Sequence, residues 1–105
     1  MRHAVDASFF FSELTLEGGI FVPPSVVEEL AALRSRCRLE ALLEGGLSVR
    51  SPSGEGRGRV ARAAAETGDA SRLSPADTDL LALALDLGAT VVSDDYAVQN
   101  VALSL

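Results

Sequence analysis

Four carboxylates stand in places that solvation alone does not explain. Asp6 closes the short apolar run His3-Ala4-Val5, and Asp94-Asp95 close the β-branched run Thr90-Val91-Val92-Ser93. On a helical wheel of about 100° per residue, Asp77 falls near the middle of the stripe formed by Leu80, Leu81 and Ala84, whereas Asp79 and Asp86 point the opposite way. Glu29 lies on the flank of a second stripe, Val26, Leu30, Leu33 and Cys37, while its neighbour Glu28 points away from it. Glu29 and Asp77 are therefore read as inward-facing. An ionised carboxylate facing the interior is costly, so it must neutralise or find a cation. Taken singly, each acid has a plainer explanation. Asp77 can favour a helix N-terminal dipole, Glu29 can pair with an arginine, and Asp6 and Asp95 can be turn or cap residues, Asp94 or Asp95 capping a helix at Tyr96. Taken together, two acids at strand ends and two on helix faces make the oxygen-rich set that one or two Mg²⁺ or Mn²⁺ ions require.

The elements that must position these acids alternate between strand and helix. Besides the runs ending at Asp6 and Asp94, strands are expected at Ile20-Phe21-Val22, between Gly18-Gly19 and Pro23-Pro24, and at Leu47-Ser48-Val49-Arg50, after Gly45-Gly46. Ser25 with Glu28 reads as a capping box opening a helix that runs towards Gly45, with a break near Ser35. Ser74-Pro75-Ala76-Asp77 repeats the start signal, and Gly88 stops that helix. Ser51-Pro52-Ser53 with Gly54, Gly56 and Gly58 reads as a loop ahead of a helix around residues 60–66. The spaced glycines do not form a nucleotide-binding fingerprint, because no strand, turn, helix and ribose-binding acid accompany them. Such a layout predicts an α/β domain with a parallel sheet covered by helices, whose ligand site lies beyond the carboxyl ends of the strands. Asp6 and Asp95 belong to that edge.

Composition narrows the chemistry further. The 105 residues, 48% hydrophobic, suit one domain over residues 1–105. No apolar run approaches the roughly 20 residues needed to span a bilayer, and no secretory leader is evident, so a cytoplasmic protein with no membrane partner is expected. The single cysteine, Cys37, cannot form an internal disulfide or a multi-cysteine zinc site. His3 is the only histidine and reads as structural, which leaves no Cys/His or Ser/His nucleophile. Net charge is −6, but seven of the nine arginines lie between Arg34 and Arg62 against three acids, giving +4 there and −10 elsewhere. Arg34, Arg36, Arg38, Arg57, Arg59 and Arg62 are accordingly candidates for a phosphate-binding surface, since the guanidinium fork matches phosphate oxygens. A GC-rich genome that spells arginine in place of lysine explains the same residues equally well.

Four segments then resemble, in order, the acidic motifs of PIN-domain nucleases: Val5-Asp6-Ala7-Ser8, Pro24-Ser25-Val26-Val27-Glu28-Glu29-Leu30, Leu73-Ser74-Pro75-Ala76-Asp77 and Val91-Val92-Ser93-Asp94-Asp95. The stretch Asp94-Asp95-Tyr96-Ala97-Val98-Gln99-Asn100-Val101-Ala102, with the run Leu80-Leu81-Ala82-Leu83-Ala84, is similar to the archaeal Nob-type ribosome-assembly endonucleases of that family. The resemblance implies a three-layer α/β/α fold with a four- or five-stranded parallel sheet. It implies Asp6, Glu29, Asp77 and Asp95 as metal-site acids, Asp94 as a fifth candidate, and Ser8 and Ser93 as supporting hydrogen-bonding groups. The activity implied is metal-dependent endonucleolytic hydrolysis of single-stranded RNA, with a precursor of small-subunit rRNA as partner and its 3′-end maturation as the task.

Two departures accompany the resemblance. Nob-type enzymes carry a C-terminal zinc ribbon, and no cysteine follows Cys37 towards Leu105, so either a fragment of a longer protein or a stand-alone relative is expected. A final edge strand, common in the family, is likewise not expected within these residues. A toxin-type PIN ribonuclease with an antitoxin, and a catalytically silent RNA-binding or scaffold module, are the alternatives. A receiver domain would need a lysine, and the chain has none; a haloacid-dehalogenase-like phosphatase would need Asp-x-Asp, but Ala7-Ser8 follow Asp6. Tyr96 or Gln99, near the acidic edge, is a candidate to contact a base, and Phe9 to Phe11 are assigned to the core in preference to a homo-oligomer interface.

Overall fold

The computed structural model describes residues 1–11, 16–32, 44 and 46–105. Four strands, β1 (Arg2–Val5), β2 (Gly19–Val22), β3 (Ser48–Val49) and β4 (Thr90–Val92), form one sheet in the order β3-β2-β1-β4. Every pairing is parallel, with His3 opposite Ile20 on one side and opposite Thr90 on the other. The chain builds outward from β1 through β2 to β3 and then returns to place β4 on the far side of β1. The reversal of strand order therefore falls between β1 and β4, and Asp6 and Ser93 are the first residues beyond that pair.

Alternation along the strands sends side chains to two faces. Val5 and Val22, with half-buried Ile20 and Val92, pack in a core with Phe9, Phe10, Val26, Leu30, Leu47 and Ala76. Ala4, with half-buried Val91, packs in another with Val60, Leu80, Leu81, Val98 and Val101. Helix α1 (Pro24–Ala32) supplies the first core; α2 (Gly54–Thr67), α3 (Pro75–Leu87) and α4 (Tyr96–Ser104) supply the second. This is the expected four-stranded parallel sheet in a three-layer α/β/α arrangement. Among the described residues no helix is long and apolar enough to cross a membrane. Phe11, in the short 3-10 turn after β1, is exposed while Phe9 and Phe10 are buried, so only two of the three phenylalanines serve the core.

Two local readings need correction. Ser25 does not cap α1: the helix starts at Pro24, whose fixed φ and missing N–H suit the first helical position, and the amides of Val26 and Val27 reach the Pro23 carbonyl. The Ser25 hydroxyl instead donates to Asp79 Oδ2 at 2.6 Å, a contact 54 residues away in sequence. The glycines at 54, 56 and 58 are not a loop but the first turns of α2, capped by Ser53, whose Oγ accepts from the Gly56 amide at 2.9 Å. That cap, and the contacts of the turn with α3, outweigh the poor helix propensity of glycine. The expected continuation of α1 beyond Ala32, with its break near Ser35 and with Cys37, lies outside the described residues.

The start and stop of α3 follow the sequence closely. Ser74 Oγ accepts from the Asp77 amide while Asp77 Oδ2 accepts from the Ser74 amide, a reciprocal capping box, and Gly88 closes the helix at a left-handed φ of 61°. Acids on the outer side of α3 hold its neighbours. Asp86 accepts from the Ser53 amide at 2.6 Å and from Ser53 Oγ at 2.8 Å, tying α3 to the start of α2. Between α2 and α3, buried Asp69 accepts from Asn100 Nδ2 of α4 at 2.6 Å. That bond, helped by Thr67 and by the Arg72 charge, holds the Asp69 carboxyl below the usual range.

A Cβ on Gly56 would stand 2.8 Å from Asp86 Oδ1 and 3.1 Å from the Ala82 carbonyl, so the absence of a side chain sets how closely α2 approaches α3. Gly58, two residues on, has nothing within 4 Å of the same position. We expect Gly56→Ala to lower stability by about 1–2 kcal/mol through overpacking, and Gly58→Ala to raise it by about 0.5–1 kcal/mol through helix propensity. Urea unfolding of both variants checks the pair; equal effects would contradict a close approach at residue 56.

Candidate active site

Beyond the carboxyl ends of β1 and β4 lies the crevice where ligands bind in open parallel sheets. The Asp6 amide donates to the Val92 carbonyl at 3.3 Å, extending the β1–β4 ladder by one bond and setting Asp6 beside Ser93. Three donors fix the Asp6 carboxylate. Oδ1 accepts from the Ser8 amide at 3.0 Å and from the Ser8 hydroxyl, and Oδ2 accepts from the Ser93 hydroxyl. Because Ser93 Oγ also accepts from the Asp95 amide at 3.1 Å, its single proton is directed at Asp6. Each carboxylate oxygen has two acceptor sites, so Asp6 keeps capacity for a further positive partner.

Asp95 begins α4. Its Oδ1 accepts from the amides of Ala97 at 2.8 Å and Val98 at 3.5 Å, and the residue is exposed. It is thus a helix cap, as one of the plainer readings holds, and is linked to Asp6 through Ser93. Asp94 is exposed beside it. Gln99 was read as a base contact; its amide instead donates to the Ser93 carbonyl at 2.8 Å, bracing the β4–α4 turn. Tyr96, by contrast, is 86% exposed next to Asp95.

Asp77 is half-buried, with Oδ2 committed to the Ser74 amide. Glu29 departs from expectation: α1 turns it outwards, and the residue is exposed, not inward-facing. The flank of a short helix is decided by how that helix lies on its neighbours, which a wheel does not show. The Glu29 carboxyl nonetheless has its pKa raised above 4.5, first by partial burial and then by the negative charges of Asp77 and Asp6. Glu29 therefore feels the charges of two of the other three acids. Among the described residues no three His, Cys, Asp or Glu side chains already stand close enough to hold one ion.

The chemistry of the donors fits a hard divalent cation. They are carboxylate oxygens flanked by serine hydroxyls, with no nitrogen or sulfur ligand, and no described arginine forms an ion pair with Asp6, Glu29, Asp77 or Asp95. Uncompensated charge of one sign is what such a cation relieves. The arginines divide differently. Arg57 Nε donates to Asp79 Oδ1 at 2.8 Å, Arg59 and Arg62 are exposed on α2 near Glu66 and Ser104, and Arg34, Arg36 and Arg38 lie outside the described residues. Asp79, which the helical wheel points away from the apolar stripe, is a half-buried acceptor for Ser25 and Arg57, a role that no helical periodicity announces.

A sequence model described as the PIN domain of ribonuclease matches residues 4–87, a span that includes Asp6, Glu29 and Asp77. The chain belongs to the PIN domain family. It is 44% identical to the endoribonuclease Nob1 of Pyrococcus abyssi over 97% of this chain and 63% of that protein. It is 41% identical to ribonuclease VapC1 of Thermoplasma acidophilum over 97% of this chain and 53% of the relative. For the endoribonuclease Nob1 of Methanothermobacter thermautotrophicus the identity is 40%, over 95% and 62%. The chain thus spans between about half and two thirds of these curated relatives. PIN-domain nucleases generally use divalent metal ions, in keeping with the carboxylate and hydroxyl chemistry of these residues.

The raised Glu29 pKa carries a stability consequence with a definite sign. The unfolded carboxyl ionises near 4.5 and the folded one at higher pH, so the folded state binds more protons in between and loses stability as pH rises through that window. Below it the cost is absent, and above it the cost is complete. In chelator, Glu29→Gln should therefore raise the unfolding temperature at pH 7 and leave it unchanged below about pH 4. Calorimetry across pH tests this, and a less stable variant at pH 7 would refute it.

Proposed function

We propose that this chain is a metal-dependent endoribonuclease domain that hydrolyses phosphodiester bonds of single-stranded RNA. The reading rests above all on Asp6: a strand-end carboxylate oriented by Ser8 and Ser93, in the electrostatic field of Glu29, with no cationic partner among the described residues. Asp6, Glu29, Asp77 and Asp95 would hold Mg²⁺ or Mn²⁺, one or two ions, with Asp94 as a further acid at the rim. Bound there, such an ion supplies Lewis-acid polarisation of a phosphate and a water nucleophile usable at neutral pH.

The protein's own residues supply orientation. Ser8 and Ser93 prevent the Asp6 carboxylate from rotating, Ser74 fixes one oxygen of Asp77, and the first turn of α4 fixes one oxygen of Asp95. His3 is buried within β1 and takes no part in proton transfer in this scheme. RNA would approach across the carboxyl edge of the sheet, with Tyr96 stacking on a base and Arg59 and Arg62 of α2 near the phosphates. Arg34, Arg36 and Arg38 remain candidates for the same surface.

Cleavage of a small-subunit rRNA precursor near its 3′ end, in the cytoplasm, is the task we favour, because two of the relatives above are named endoribonuclease Nob1 and the Asp94–Ala102 segment is similar to that subgroup. The ribonuclease VapC names support a second reading, a toxin-type nuclease with an antitoxin partner. Asp6→Asn should lower Mn²⁺-dependent cleavage of single-stranded RNA at least about a hundredfold while leaving RNA binding intact. Binding without turnover at any metal concentration in the unaltered protein would overturn the enzyme reading in favour of a silent module. A single cut near the rRNA 3′ end supports the maturation role, whereas scattered cuts in unrelated RNAs support the toxin type.

Base stacking has its own readout, since the chain holds one tyrosine and no tryptophan. Tyr96 fluorescence should be quenched on titration with a short oligoribonucleotide, and Tyr96→Ala should weaken binding by about 1–3 kcal/mol. Unchanged fluorescence at saturating RNA would remove Tyr96 from the interface.

A further inference from the structure

Helices α1 and α3 are separated by more than forty residues of chain, yet they face each other across one cleft, lined by Ser25, Glu28, Glu29 and Ala32 of α1 and by Pro75 and Ala76 of α3, next in sequence to Asp77. Two kinds of contact join them. Ala76 packs in the core with Val26 and Leu30. Ser25 Oγ donates to Asp79 Oδ2 at 2.6 Å, and the other oxygen of Asp79 accepts from Arg57 Nε of α2 at 2.8 Å. The Asp79 side chain is only 17% exposed. Short bonds to both oxygens of a largely buried carboxylate are far stronger than a surface ion pair.

We infer that Asp79, with Ser25 and Arg57, is a positioning clasp that holds α1 to α3 and so keeps Glu29 beside Asp77 and Asp6 against their mutual repulsion. This rests on the metal-site reading above. Ser25 and Glu29 are four residues apart, one turn along the same side of α1, so whatever fixes Ser25 fixes Glu29. Asp79 gives Ser25 an acceptor without adding net charge between the helices, because Arg57 neutralises it. The same geometry gives Arg57 a structural task in place of the RNA contact expected from sequence.

The test compares Ser25→Ala and Ser25→Thr, each with and without Glu29→Gln. The readouts are amide hydrogen exchange of residues 28–32 in chelator and Mn²⁺ affinity by calorimetry. Ser25→Ala should speed exchange in α1 and weaken Mn²⁺ binding about tenfold, the loss of one charge-assisted hydrogen bond. Ser25→Thr, which keeps the hydroxyl, should restore both. With Glu29→Gln in place, Ser25→Ala should cost little more, because the repulsion it resists is gone. Equal effects of Ser25→Ala in the two backgrounds, or none in either, would overturn the clasp. If the unaltered protein takes up no Mn²⁺ while exchange still depends jointly on Ser25 and Glu29, the metal reading fails and the clasp stands.

Discussion

Repulsion between like charges is the constraint around which this molecule is arranged. The negative charges of Asp77 and Asp6 both act on Glu29, and among the described residues no arginine pairs with any of the three. A folded chain tolerates that only if other interactions hold the acids in place. Here those interactions are hydrogen bonds to the carboxylates: two from Ser8 and one from Ser93 at Asp6, the Ser74 amide at Asp77, and the first-turn amides of α4 at Asp95. Each donor stabilises negative charge without supplying a neutralising positive one. Among the described residues the negative charge of these carboxylates is therefore oriented but not neutralised.

Topology explains why acids from opposite ends of the chain meet. Strand β4 pairs beside β1 in register, Val5 opposite Val92, so residue 6 and residue 93 leave the sheet together. The crevice at the reversal of strand order needs no side chain to create it. The neighbouring helices then bring Glu29 and Asp77 to its rim, and their placement depends on packing of Val26, Leu30 and Ala76 as much as on polar contacts.

The arginines illustrate how charge counted along a chain can mislead. Of the basic middle stretch, Arg57 is bonded to Asp79, and Arg50 lies over the Phe21 ring at 5.7 Å. Outside it, Arg2 donates to the Leu87 carbonyl and Arg72 faces Asp69. Among the described residues Arg59 and Arg62 are the members of that stretch left facing solvent without a hydrogen bond or ion pair to another element, so of these four arginines two are held by neighbours and two are free to form a basic surface.

By itself the sequence determined the strands, the ends of α3 and the parallel sheet, because apolar runs closed by acids and the Ser-Pro…Gly punctuation are local signals with local causes. It could not decide the start of α2, where glycines form helix because Ser53 caps them and α3 leaves room for no side chain at residue 56. Nor could it decide which way Glu29 faces, or that Ser25 and Gln99 serve Asp79 and the Ser93 carbonyl. Those outcomes depend on partners distant in sequence, and a hydroxyl or amide takes whichever acceptor the packed helices bring within reach. Only the tertiary structure chooses among them.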